Sequence, residues 1–212
     1  MASGRGRFIT LEGGEGAGKS TQIALLETPL RALDINLYRT REPGGAPGTS
    51  RGSEMLRNLL LEGDYQWVPK AEVLLHFAAR AQHVEGNIKP ALAEGRWVIC
   101  DRFADSTMVY QGWGQGADRG MIAELTDMMG LQPDLTIVLD VSVETTQARL
   151  ASRGSVADRY ERLGPAFFAR IREGFLAVAK ENPERCVVIS GEKTQAEVAA
   201  DIWNAVRTKF GL

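Results

Sequence analysis

The stretch Gly13 Gly14 Glu15 Gly16 Ala17 Gly18 Lys19 Ser20 follows directly on the apolar run Phe8 Ile9 Thr10 Leu11, and few folds tolerate that junction. It fits the G-x-x-x-x-G-K-[ST] phosphate loop, in which backbone N–H groups converge on a β-phosphate from a turn that only small residues and positive φ angles allow. In such a loop Lys19 reaches the β- and γ-phosphates, Ser20 places its hydroxyl on Mg²⁺, and the helix starting near Lys19 aims its positive end at the anion. A nucleoside-triphosphate site at the end of a first strand is therefore expected.

Short β-branched or apolar runs alternate with longer helical stretches, the pattern of a parallel sheet covered on both faces. Strands are predicted at 8–12, 36–40, 97–101, 135–141 and 186–190, and helices at 19–33, 49–61, 70–94, 119–129, 143–152, 165–181 and 194–210. Glycines at 112, 114 and 116 read as turn punctuation. With 212 residues, 44% hydrophobic and 25% charged, the chain fits one α/β domain spanning 1–212. A formal net charge of -2 argues against a nucleic-acid or anionic-membrane binder. Cys100 and Cys186 each sit in an apolar run and read as buried strand cysteines, which suits a reducing, cytoplasmic setting. No targeting or membrane-spanning segment is expected.

Ligands of open α/β sheets gather beyond the carboxyl ends of the strands, so Glu12 to Gly18, Arg41 to Gly45, Asp101 to Ser106 and the segment after Asp140 should border one crevice. Asp101 ends a strand, where a phosphate-loop enzyme needs a carboxylate to position Mg²⁺. A hydrolytic ATPase commonly follows that Asp with a second acid. Arg102 is instead a cation suited to a second phosphate, unless it only pairs with Asp105 or Asp118. Arg149, Arg153 and Arg159 surround Gly154 Ser155 in a short polar insertion that reads as a lid, at about 149–161, supplying cations to a transferring phosphoryl group; the alternative is a solvated helix end paired with Asp158 and Glu161. Arg80 lies among apolar neighbours on a long helix and could bond a base carbonyl from there, whereas Phe77 beside it is more simply core.

Together, GGEGAGKST, TREPGG, AEVLLHFAARAQHVEGNIKPAL, WVICDRFADSTMVYQGWGQG and the arginine-bearing lid resemble bacterial thymidylate kinases, over about Phe8 to Phe175. The resemblance implies a phosphate-loop NTPase fold of nucleoside-monophosphate-kinase type: a five-stranded parallel sheet flanked by helices, with a short lid, in a homodimer. It implies transfer of a phosphoryl group from ATP to dTMP with Mg²⁺. ATP is then held by Gly13, Gly14, Glu15, Gly16, Ala17, Gly18, Lys19, Ser20 and Thr21, and the metal by Ser20 and Asp101. Arg102, with Arg57, meets the dTMP phosphate; Arg80 and Thr107 read the thymine edge, with Ser106 also in the substrate site; Tyr110 and Glu15 lie near the sugar. Arg153, supported by Arg149 and Arg159, matches the lid arginine of the bacterial pattern, and Pro43 a proline often held in cis. Four residues before the base-reading arginine the family usually carries a stacking aromatic, where this chain has His76 with Phe77 next to it. The i to i+4 spacing to Arg80 favours His76, whose protonation would change the contact near neutral pH.

Two rival readings remain at this level. A deoxynucleoside kinase would need a carboxylate base for a neutral hydroxyl, a role Glu42 could fill. A phosphate-loop ATPase module driving a macromolecular partner would be expected to carry paired acids after the third strand.

Overall fold

A computed structural model describes residues 5–46, 48, 50–62, 65–153 and 159–212, with Arg153 described by its backbone alone. Five strands, β1 (Phe8–Gly13), β2 (Leu37–Arg41), β3 (Trp97–Asp101), β4 (Leu135–Asp140) and β5 (Cys186–Ser190), form one sheet in the order β2-β3-β1-β4-β5. Every pairing is parallel. The period of two along β1 sends Ile9 and Leu11 to one face and Phe8, Thr10 and Glu12 to the other, and all five are sealed, as strands covered on both faces must be. Against Ile9 and Leu11 pack α1 (Lys19–Ala32) and α9 (Gln195–Phe210), through Ile23, Leu26, Val198 and Ile202. α8 (Pro165–Glu181) covers Val138 on the opposite face through Phe168, Ile171 and Phe175. Cys100 and Cys186 are buried, unbridged thiols on the strands, as their apolar settings imply.

β1 lies between β3 and β4, so the chain leaves it first toward one edge and later toward the other. The ends of these strands form the switch point at which a ligand crevice opens. Between β2 and β3 run α2 (Arg51–Leu61), α3 (Pro69–His83), a π-helical turn at Val84–Ile88 and α4 (Lys89–Ala93). The single helix expected over 70–94 is thus nearly continuous. Its widened turn precedes Pro90, which has no N–H to give back to the preceding turn.

The clearest departure from expectation follows β3. Gly112 and Gly114 do not break the chain: α5 (Ala104–Thr107) runs on into a π-helical segment, Met108–Gly114. Their smallness serves packing instead. A Cβ at Gly114 would lie 2.5 Å from Phe167 Cε2 and 3.0 Å from Ile171 Cδ1 on α8. This approach seats Tyr110 against Phe167 and Phe175. α6 (Arg119–Met128) then leads to β4, and α7 (Val143–Arg153) follows it. The lid centre, 154–158, lies outside the described residues; a single turn at Glu161–Leu163 leads from it to α8.

Gly114→Ala sets a helix-propensity gain of about 1 kcal/mol against overpacking of about 1–3 kcal/mol. Phe167 is held among Tyr110, Tyr160 and Phe168 and has little room to yield, so a net loss of stability in urea unfolding is expected. An unchanged midpoint would show that α8 can move away.

Candidate functional site

A crevice of about 850 Å³ opens over the carboxyl ends of β1, β2 and β3 and is lined at one end by Gly16 to Gln22. Gly13, Gly16 and Gly18 take φ of 134°, 67° and 94°, conformations an L side chain rarely adopts. Lys19 Nζ folds back onto the carbonyls of Gly13 (3.1 Å) and Gly14 (2.8 Å). Burial first, and then Arg102, hold its pKa below the usual lysine range. Ser20 Oγ donates to Asp101 Oδ2 at 2.8 Å, so a hydroxyl and a carboxylate meet beside the loop. These hard oxygens suit Mg²⁺, which keeps waters and substrate phosphates among its ligands. Among the described residues, no cluster of three or more His, Cys, Asp or Glu could hold a metal without such help.

Arg102 stands where this loop meets the opposite end of the crevice. Its own φ is 68°, unusual for a residue with a Cβ. Nη1 donates to Gly13 O (2.9 Å) and Ser106 Oγ (3.1 Å), and Nη2 to Glu15 Oε1 (2.7 Å) and Tyr110 OH (3.0 Å). Burial opposes its charge, but Glu15 and the other acids around it raise its pKa further. Neither Asp105 nor Asp118 is its partner: Asp105 is paired with Arg185 (2.7 Å), and Asp118 caps α6. Tyr110 OH also donates to Glu15 Oε1 at 2.8 Å, joining the two groups expected near a sugar.

The far wall belongs to α3. His76 and Arg80 lie one turn apart, and both line the crevice. Phe77 does not. It is packed with Val73 and Ile122, and the Arg80 guanidinium carbon lies 4.6 Å from its ring centroid and 5.3 Å from that of Phe103. Phe77 is therefore core, the simpler of its readings, and not a second candidate for the ligand: one residue along a helix turns the side chain by about 100°, and here it supports Arg80 from behind. Arg80 Nε donates to Glu42 Oε2 (2.7 Å), and Nη2 to Phe103 O (3.1 Å) and Thr107 Oγ1 (3.0 Å), while Nη1 has no partner among the described residues. His76 is corrected in one respect. Burial, with Arg80 and Arg159 nearby, lowers its pKa to about 3, so the imidazole is neutral throughout the physiological range.

Arg57 lines the crevice and donates to Pro43 O at 2.6 Å; the Glu42–Pro43 peptide is cis, as the resemblance implies. Arg149 bridges Gly16 O (3.1 Å) and Gly191 O (2.8 Å), tying α7 to the phosphate loop and to the end of β5. The Arg153 side chain lies outside the described residues. Arg159, expected over the transferring group, is drawn instead to Glu72 at 2.6 Å. The turn straight after Asp140 lies apart from the crevice; α7 contributes Arg149, Leu150 and Ser152 to it, and the loop after β5 contributes Gly191.

Three buried carboxylates take roles that sequence reasoning did not give them. Glu42 is engaged on both oxygens, by Arg80 and by His83 Nδ1 (3.0 Å). Glu72 gathers donors from Gln111, Gln115, Arg159 and Tyr160. Glu12 accepts from Phe103 N (2.7 Å) and Ser106 Oγ (2.6 Å) under the loop. The available signal was an acid inside an apolar run, as in Ala71 Glu72 Val73 Leu74 Leu75. In sequence alone such an acid looks like the polar position of an amphipathic element.

Comparison with known proteins gives a consistent answer. The family model described as thymidylate kinase matches residues 11–202. A thymidylate kinase of Chromohalobacter salexigens is 50% identical over 201 residues, 93% of each chain. One from Dinoroseobacter shibae is 50% identical over 199 residues, covering 93% of this chain and 94% of its own. A crystal structure of thymidylate kinase from Ehrlichia chaffeensis superposes with a TM-score of 0.77 at 34% identity, covering 96% of this chain and 99% of that one.

Glu12 gives the site a pH signature. Burial, and then Asp105, raise its pKa from 4.5 to about 7. Between those values the folded state holds a proton that the unfolded chain has released, so this group's contribution to stability declines as pH rises from about 4.5 to about 7. Glu12→Gln has no proton to lose. Relative to the parent, its unfolding free energy in urea should improve by on the order of 1–3 kcal/mol between pH 5 and pH 8.5; a pH-independent difference would refute the assignment.

Proposed function

The chain belongs to the thymidylate kinase family, and from that premise we propose how its own residues carry out the phosphorylation of dTMP to dTDP. It is an ATP-dependent dTMP kinase, a transferase of nucleotide biosynthesis. The observation that carries the residue assignment is the Arg102 junction: one guanidinium joins the phosphate loop to the wall bearing Arg80, Thr107 and Tyr110. That arrangement supports a donor and an acceptor laid end to end in a single crevice.

In this reading the amides of Gly13 to Gly18, with Lys19, Ser20 and Thr21, hold ATP. Ser20 and Asp101 hold Mg²⁺, which when bound screens the phosphate charge. Arg102 and Arg57 hold the acceptor phosphate. Arg80, in the grip of Glu42, and Thr107 read the base edge against His76, with Ser106 also in the substrate site, and Glu15 and Tyr110 border the sugar. The nucleophile is a phosphate oxygen, already anionic at neutral pH, so no base is needed and the rate comes from positioning and charge neutralisation. Glu42 favours this over a deoxynucleoside kinase, because both of its oxygens are committed to orienting Arg80 and His83. The lid, at about 149–161, brings Arg153 over the transferring group within a single unit spanning 1–212, and Arg149 shapes the ATP end.

The wider setting is a cytoplasmic homodimer using small-molecule substrates, with neither nucleic acid nor membrane as partner. Support comes from the slightly negative net charge and the two unbridged buried cysteines. Among the described residues, no helix is long and apolar enough to cross a membrane. The homodimer rests on the family resemblance.

The test is ADP formation from Mg-ATP with dTMP, dUMP, dCMP, dGMP or thymidine. A pattern led by dTMP is expected, and one led by thymidine would move the protein to the deoxynucleoside kinases. Lys19→Ala should lower turnover by about 10²–10³-fold with the fold intact by circular dichroism. Near-normal turnover in Arg153→Ala would remove Arg153 from the catalytic set.

A further inference from the structure

Glu12, the last side chain of β1 before the phosphate loop, is wholly sealed from solvent. A carboxylate is costly to bury, and it persists where donors meet its oxygens. Here both donors come from the segment after β3, at the first and fourth positions beyond Arg102. Phe103 N donates to Oε1 at 2.7 Å, and Ser106 Oγ to Oε2 at 2.6 Å. Asp105, between them in sequence, turns to Arg185 instead.

Arg102 is thereby held from β1 at both ends. Its own N–H donates to Leu11 O (3.0 Å), and the next N–H along the chain is the one that Glu12 Oε1 takes. These two bonds fix the peptide planes on either side of Arg102 and with them its φ of 68°, a conformation that residues with a Cβ rarely adopt. At the tip of the side chain, Nη1 donates to Gly13 O (2.9 Å) and Ser106 Oγ (3.1 Å). An ionised Glu12 can only accept, so the single hydroxyl proton of Ser106 goes to it and the Ser106 oxygen is left to receive Arg102. One oxygen of the carboxylate therefore sets the backbone turn, and the other sets a partner of the guanidinium.

We propose that Glu12 is a positioning residue for the acceptor phosphate, acting through Arg102: it locks the left-handed turn after β3 and the Ser106 hydroxyl, so that the guanidinium stands already oriented between the phosphate loop and Tyr110. The inference rests on the reading of Arg102 as a ligand of the dTMP phosphate and deepens it. Glu12 does not itself line the crevice, so its effect on a ligand passes through the residues it holds. Because Glu12 also adjoins the phosphate loop, the two nucleotides separate its possible roles. A disturbed loop shows on ATP, and a misaligned Arg102 shows on dTMP.

Titration calorimetry of the full-length protein with dTMP, together with KM values for both nucleotides, tests this at pH 8.5, above the Glu12 pKa of about 7. Glu12→Gln is nearly isosteric, but its amide donates on one side and cannot accept from both Phe103 N and Ser106 Oγ. With the fold intact by circular dichroism, Kd and KM for dTMP should rise about 10-fold while KM for ATP stays within about 2-fold, in line with one charge-assisted hydrogen bond. Ser106→Ala leaves β1 untouched, removes the oxygen that joins Glu12 to Arg102, and should give the same split. In an Arg102→Lys background, Glu12→Gln should change dTMP binding by less than about 2-fold, since residues acting as one unit are not additive. Equal rises in both KM values, or an undiminished effect of Glu12→Gln in that background, would overturn the proposal. So would parental dTMP binding by Glu12→Gln where Arg102→Lys alone binds it weakly. Parental dTMP binding by Arg102→Lys would instead defeat the reading of Arg102 as the phosphate ligand, and the proposal with it.

Discussion

The Arg102 guanidinium is the interaction on which the site depends. Its backbone takes a left-handed turn at the end of β3, where its N–H is still bonded to Leu11 O of β1. Its four side-chain bonds then reach the phosphate loop (Gly13 O and Glu15) and the helical segment after β3 (Ser106 and Tyr110). Strained backbone of this kind persists only where the surroundings over-determine it. The pleat of β1 and β3, the turn after β1 and the packing of α8 on Gly114 all converge on this residue.

Around it, charge is arranged in buried carboxylate and cation sets. Glu42 holds Arg80, Glu15 holds Arg102, Glu72 holds Arg159, and Asp105 holds Arg185. Taking an unpaired ion out of water costs several kcal/mol, so each acid is a commitment of the fold to one orientation of its partner. On long flexible stems these four arginines would otherwise sweep a wide volume. Held by carboxylates, Arg80 and Arg102 present a fixed edge to the crevice, which is the preorganisation that phosphoryl transfer between two anions requires. Among the described residues Glu12 has no arginine bonded to it and takes its donors from Phe103 N and Ser106; burial, and then Asp105, raise its pKa.

The legible part of this architecture is the part with short-range causes. All five strands appear within about a residue of expectation, because β-branched and apolar runs bounded by glycine and proline have few other uses. The phosphate loop was readable because its geometry demands glycine at particular spacings, and His76 and Arg80 could be placed on one face by helix periodicity alone. Gly112 and Gly114 were misread for an equally physical reason. A glycine that breaks a helix and one that admits a neighbouring helix look alike until the neighbours, α6 at Gly112 and α8 at Gly114, are in place. Phe77 beside His76 was legible as core by the same periodicity, and the packing of α3 on Ile122 puts it there.

By itself, the sequence determined that a nucleoside triphosphate would be gripped at the end of the first strand, that a parallel sheet would carry the grip, and that arginines would crowd the opposite side, since these follow from local residue types and spacing. Tertiary structure alone decided which acid takes which arginine. Glu72 and Tyr160 stand 88 positions apart, and Glu15 and Arg102 stand 87 apart. Such pairings have no periodicity to betray them, and they exist only once sheet order and helix packing have brought distant segments together and excluded the water that would otherwise have taken their place.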